Sequence, residues 1–155
     1  MQRRGGYMSF KNLPEVKKKI QKRLQKDAPR NLKKAMTKSA LLVRGEAVSS
    51  ILSGNKSGRT YRKYNPNRTH TASSKGQAPA SDTGTLASGI SHEVVMEGTN
   101  VVGKITAFAS DGRGDNYAKH LEFGTTQMDE RPFMQPALNK NARKIREIFK
   151  RQGVI

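Results

Sequence analysis

Cysteine and tryptophan are both missing from the 155 residues. Without cysteine there is no disulfide framework, no thiolate nucleophile and no cysteine-based zinc site. With no tryptophan, only 6% aromatic residues and 34% apolar ones, the core must be modest and much of the chain must lie outside it. Such a subunit gains stability from neighbours. Histidine is scarce too: His70, His92 and His120 show no metal-ligand spacing and read as surface or hydrogen-bonded residues. No apolar run approaches the length of a membrane span, and Met1-Gln2-Arg3-Arg4-Gly5-Gly6 lacks the apolar stretch of a signal peptide. The expectation is a soluble protein made in a cytoplasm, with no membrane partner. The length fits one domain with extensions.

Acidic residues are also few, 12 Asp and Glu against 30 Lys and Arg, for a net charge of +18. That excess points to a polyanionic partner, either nucleic acid or an acidic protein surface. Its distribution is uneven. Residues 1–75 hold 20 basic and 3 acidic residues (+17), residues 76–130 hold 3 and 8 (−5), and residues 131–155 hold 7 and 1 (+6). Basic ends around an acidic middle suit charge-complementary contact with copies of the same chain or with ordered neighbours, as well as with nucleic acid.

Periodicity supplies the elements. Leu13-Pro14-Glu15 reads as a helix start, and Val16, Ile20 and Leu24 then mark a narrow apolar stripe among Lys17, Lys18, Lys19, Lys22, Arg23 and Lys26. Asp27-Ala28-Pro29 interrupts the pattern as a kink or a short break, with Asp27 available to N-cap a second segment. From Leu32, the positions Met36, Ala40, Val43, Ala47 and Ile51 share one face of the main core helix, which ends at Ser53-Gly54 with Gly54 as C-cap.

Residues 54–83 are polar and basic, but β-formers flank Asn65-Pro66-Asn67. They read as a projecting basic loop or β-hairpin arm with little to pack on in its own subunit. Its contact residues would be Arg59, Tyr61, Arg62, Lys63, Tyr64 and Arg68. A short helical turn capped by the Asp82 segment follows, then strands over 91–96 and 101–109 joined by Glu97-Gly98-Thr99-Asn100. Tyr117 and Leu121 fall one turn apart on a short helix stopped by Gly124. A last helix places Leu138, Ala142, Ile145 and Phe149 on one face. The expected fold is α+β, with a long N-terminal helix and a C-terminal helix packed on a small antiparallel sheet. Residues 1–30 form a basic helical extension and 31–155 a single domain that includes the arm.

Three short motifs resemble chemistry. Asp82-Thr83-Gly84 matches the aspartic-protease tripeptide, but its flanks, Pro79-Ala80-Ser81 and Thr85-Leu86-Ala87-Ser88, are not the apolar strands that bury a proton-sharing carboxylate pair, so a helix cap is the better reading. Arg113-Gly114-Asp115 reads as a turn. Glu122, Asp129 and Glu130 come with no nucleophile, phosphate loop or pocket signature, so no enzyme, cofactor or metal is expected. The basic arm is the serious alternative: Arg59, Arg62, Lys63 and Arg68 neutralising phosphates while Tyr61 and Tyr64 stack on bases, without sequence specificity.

Tyr117-Ala118-Lys119-His120-Leu121-Glu122-Phe123-Gly124-Thr125-Thr126, followed by Arg131-Pro132-Phe133-Met134-Gln135-Pro136-Ala137-Leu138, resembles the signature of the tail-component family of long-tailed double-stranded DNA bacteriophages, the neck or tail-completion family. Gly58-Arg59-Thr60-Tyr61, Thr69-His70-Thr71-Ala72-Ser73 and the block from Ala78 to Leu86 are similar to that family's middle region. The likeness covers residues 32–150 and singles out Asp82, Gly84, Leu86, Tyr117, Leu121, Glu122, Phe123, Gly124, Pro132, Phe133 and Pro136. It implies a non-enzymatic virion protein of the neck or upper tail, present in the host cytoplasm during assembly. Its partners would be copies of itself in a ring of six, with twelve as the alternative, the phage connector and tail-terminator or tail-tube proteins, and DNA in transit through the channel. Within the subunit, Glu122 is expected to cap or pair across the Gly124 turn, and Phe123 and Phe133 to anchor the final helix to the sheet.

Overall fold

The structure, a computed structural model, describes residues 13–53, 56–64, 66–98, 100–110 and 114–155. Residues 1–6, Gly54, Asn65, Thr99 and Arg113, given roles above, lie outside the described residues.

Helix α1 (Leu13–Lys22) passes through a π-helical stretch (Arg23–Asp27) into α2 (Ala28–Leu52) without a break. Asp27 and Ala28 both keep right-handed helical dihedrals, and the Ala28 N–H reaches back to the Arg23 carbonyl. Pro29 explains the wider turn: it has no N–H to donate, and its ring crowds the carbonyl four residues back. Asp27 is therefore not an N-cap. Its carboxylate makes no capping bond and lies 3.7 Å from the Arg30 guanidinium. The helix crosses residue 30 uninterrupted.

The buried side of α2 consists of Ala35, Ser39, Ala40, Val43, Ala47 and Ile51, mostly small residues that let other layers approach closely. On one flank lies the antiparallel hairpin of β3 (Ile90–Glu97) and β4 (Asn100–Ala107), in register from Ile90 opposite Ala107 to Glu97 opposite Asn100. Gly103 sits so near the helix that a Cβ would lie 2.9 Å from the Met36 sulfur. Arg44 Nε donates to the Ile90 carbonyl at 2.7 Å and pins the start of β3.

On the other flank α5 (Met134–Arg151) runs antiparallel to α2. Lys140 pairs with Glu46 at 2.5 Å, while Gln152 shares a surface cleft with Lys34 and Lys38. The buried face of α5 is not the expected one. Ala137 and Asn141 are buried and Ile145 is half-buried, whereas Leu138 and Ala142 are exposed. The face is turned by one residue because fully buried Phe133 sets the helix entry, Ala137 gives α2 close approach, and Asn141 satisfies its amide on the Ala137 carbonyl at 2.9 Å.

Short helices α3 (Thr85–Ser88) and α4 (Ala118–Phe123) close the core, in which Val43, Ala47, Ile51, Leu86, Ile90 and Phe133 form one cluster. The expected α+β architecture is present. Strands β1 (Thr60–Tyr64) and β2 (Asn67–Thr71) form the second sheet and pair only with each other. The arm is shorter than the sequence implied, because residues 73–83 lie along the body. Ser73 is buried, the Gly76 N–H donates to the Glu130 carbonyl at 3.0 Å, and the Ser81 N–H donates to the Ile51 carbonyl at 3.3 Å. Only the hairpin projects.

Candidate functional site

Alternation along the hairpin puts Lys63 and its cross-strand partner Arg68 on one face. Both reach Asp82. Lys63 Nζ donates to Oδ2, Arg68 Nη2 donates to Oδ1 at 2.5 Å, and Arg68 Nη1 donates to the Asp82 carbonyl at 2.9 Å. The bond from Lys63 is the chief cause that holds the Asp82 carboxyl below its ordinary value; desolvation opposes it, and the charges of Arg68 and Lys63 add to it. Two sequence expectations are corrected here. The arm does have a partner in its own subunit, and Asp82 is not the cap of α3, whose N-cap is Gly84 at φ +82° with no side-chain capping bond. A short helix leaves its first N–H groups open to solvent, while two cations nearby compete strongly for the carboxylate.

The other contact residues of the arm, Arg59, Tyr61, Arg62 and Tyr64, are exposed. The Arg59 guanidinium lies 5.4 Å from the Tyr61 ring and that of Arg62 lies 5.5 Å from the Tyr64 ring. Tyr64 is 80% exposed. Each pair presents a flat cationic and aromatic surface.

The motif blocks, distant in sequence, meet in space. Asp82, Gly84, Leu86, Tyr117 and Leu121 all border one cleft of about 330 Å³. Gly124, at φ +72°, ends α4 and starts a tight turn closed by the Thr125 N–H on the Met128 carbonyl at 2.8 Å. The chain then returns, and the Arg131 N–H donates to the Leu121 carbonyl at 2.7 Å. Glu122 completes the joint across that turn, as expected. Its Oε2 accepts the N–H groups of Phe133 at 2.8 Å and Met134 at 3.0 Å, and its Oε1 accepts that of Gln135 at 3.0 Å. The carboxylate supplies from elsewhere in the chain the cap that Phe133, at the N-cap position, cannot provide. Pro136, in the first turn of α5, loses nothing by having no N–H, and Pro132 precedes the buried Phe133. Phe123 anchors nothing inside the subunit: it is 80% exposed, because the short α4 turns its last side chain away from the core.

Phe123 instead forms the lip of an open groove of about 700 Å³. Val43 is its floor, Ile105 and Ala107 of β4 form one wall, and Met134 and Leu138 of α5 form the other. Sequence periodicity assigned Leu138 to the core; its exposure is what opens this groove. Two positioning residues carried no sequence signal. Lys56 donates to the carbonyls of Ser50 at 3.0 Å and Ala78 at 2.7 Å, capping the end of α2, and burial lowers its pKa. Asn116 accepts from the Ala109 and Ala118 N–H groups at 3.0 and 3.2 Å and donates to the Ala107 carbonyl at 3.1 Å.

Three of the carboxylates in the motifs that resembled chemistry are engaged singly. Asp82 holds the arm, Glu122 caps α5, and Asp129 pairs with Lys75 at 3.3 Å. Among the described residues, no group of three or more His, Asp or Glu is placed to hold a metal ion, and no helix is long and apolar enough to cross a membrane. No family model, curated protein or solved structure matches the chain.

Proposed function

We propose that this protein is a structural subunit of the neck of a long-tailed bacteriophage, forming a ring that joins head and tail. One observation carries the reading. The blocks behind the family resemblance depend on one another physically, since Glu122 of the first block caps the helix that the second block begins. Tripeptides matched by chance have no reason to build one joint.

The role requires surfaces for neighbours and no catalytic group. An apolar groove and a projecting basic hairpin fit copies of the same chain, the connector and the tail-terminator or tail-tube proteins. The test is purification of the full chain alone and with connector and tail-tube proteins of a long-tailed phage, followed by negative-stain imaging. Rings of six, or of twelve, that bind these partners are expected. A protein that neither assembles nor binds them overturns the reading.

A second reading, sequence-independent nucleic-acid binding, is favoured by the exposed Arg59–Tyr61 and Arg62–Tyr64 stacks. Binding to duplex DNA should then weaken steeply with salt, and neutralising Arg59 and Arg62 should flatten that slope by about one for each phosphate that is no longer neutralised. An unchanged slope removes this reading.

A further inference from the structure

We infer that α1 of one copy docks its apolar stripe into the groove between β4 and α5 of a second copy. The inference deepens the ring reading and rests on it, because it names the contact through which subunits would join.

Residues 14–26 are all exposed, including the stripe itself: Val16 at 50%, Ile20 at 51% and Leu24 at 67%. Spaced four apart, these side chains form one apolar face about 12 Å long. A helix that leaves such a face in water is incomplete by itself. The groove is the complementary defect. Val43, Ile105, Met134 and Leu138 line an open trough beside α2, and Phe123 extends the apolar surface beyond its end.

The stripe cannot fill the groove of its own subunit. Ile20 and the groove floor at Val43 belong to one uninterrupted helical run, 23 residues apart, which places them roughly 35 Å from each other with no loop to fold back. Only another molecule can bring the two together. Charge selects a second copy over a polyanion. The stripe is flanked by Lys17, Lys18, Lys19, Lys22 and Arg23, and the groove is lined by two carboxylates, Glu122 and Glu130, against one cation, Lys119. An anionic membrane or a nucleic acid suits the basic flanks but leaves the acidic-rimmed trough empty. Because donor and acceptor are different surfaces of one chain, each copy has a free stripe and a free groove for further copies, and a head-to-tail series of such contacts forms a ring when the rotation between successive copies closes.

The test uses the full chain with Ile20→Glu, which spoils the stripe, and Leu138→Glu, which spoils the groove; both positions are exposed in the subunit, and Leu24→Glu is a second stripe variant. Each should leave the melting curve in place and weaken self-association by at least about tenfold in sedimentation. Mixing the two should restore one sound contact and stop at a one-to-one dimer. If each variant assembles as wild type does, the contact is overturned while the ring reading stands. A wild-type protein that stays monomeric at high micromolar concentration yet binds tail-tube protein has the same consequence. Binding of anionic vesicles that Ile20→Glu abolishes, with self-association untouched, also overturns it.

Discussion

The Phe133 N–H donates to Glu122 Oε2 at 2.8 Å, so the most buried aromatic among the described residues enters its helix under the control of a carboxylate from a separate helix. With the bonds from Met134 and Gln135, one side chain satisfies all three N–H groups that this helix start leaves open, since the fourth position is Pro136, which has none. Glu122→Ala should cost about 1–2 kcal/mol and lower the thermal midpoint by several degrees. Circular dichroism melts read this directly, and a midpoint unchanged from wild type would remove the capping role.

The two phenylalanines should behave oppositely. Phe133→Ala, emptying a site that is 1% exposed, should cost on the order of 3 kcal/mol in denaturant titrations. Phe123→Ala, at 80% exposed, should stay within about 0.5 kcal/mol of wild type. A large loss at Phe123 would show that it packs inside its own subunit after all.

Asp82→Asn should release the hairpin without unfolding the body. Trypsin should then cut faster after Arg62, Lys63 and Arg68 while the global melt hardly moves. Acid should act in the same way. A carboxyl held below its ordinary value of 3.8 gives its full contribution above that pH and loses it as pH falls through the lower folded value. Hydrogen exchange over residues 60–71 should therefore accelerate on the acid side of 3.8 before the core strands respond. Equal protection in wild type and Asp82→Asn would dispose of the clasp.

Two glycines give a matched pair. A Cβ at Gly89 would stand 1.8 Å from the Phe108 carbonyl oxygen, so Gly89→Ala must displace backbone and should cost more than about 3 kcal/mol. At Gly45, on the exposed side of α2, a Cβ meets nothing within 4 Å, so Gly45→Ala should stabilise by up to about 1 kcal/mol. The same melting assay scores both.

Much of the fold was legible because it rests on local rules. The 3.6-residue period marked both long helices, alternation marked β3 and β4, and the turn-rich segment between β1 and β2 marked the hairpin. What failed depended on distant partners. Asp82 looks like a helix cap until Lys63 and Arg68 arrive from the hairpin. The face of α5 turns by one residue because Asn141, polar and unremarkable in sequence, is buried once its amide is satisfied. The groove was invisible for the same reason. Its floor, walls and lip come from α2, β4, α5 and α4, and only their assembly shows that Leu138 is left uncovered.

The unbroken run from α1 to α2 ties length to direction. Each added residue advances a helix by about 1.5 Å and turns it by about 100°. Two residues inserted near the π-helical stretch would swing the stripe of Val16, Ile20 and Leu24 to roughly the opposite side of the rod. Seven would return it close to its original bearing, about 10 Å farther out. Related chains should therefore tolerate length changes in this region in steps of whole helical turns, so that the rod serves as a ruler whose graduations are angular as well as linear.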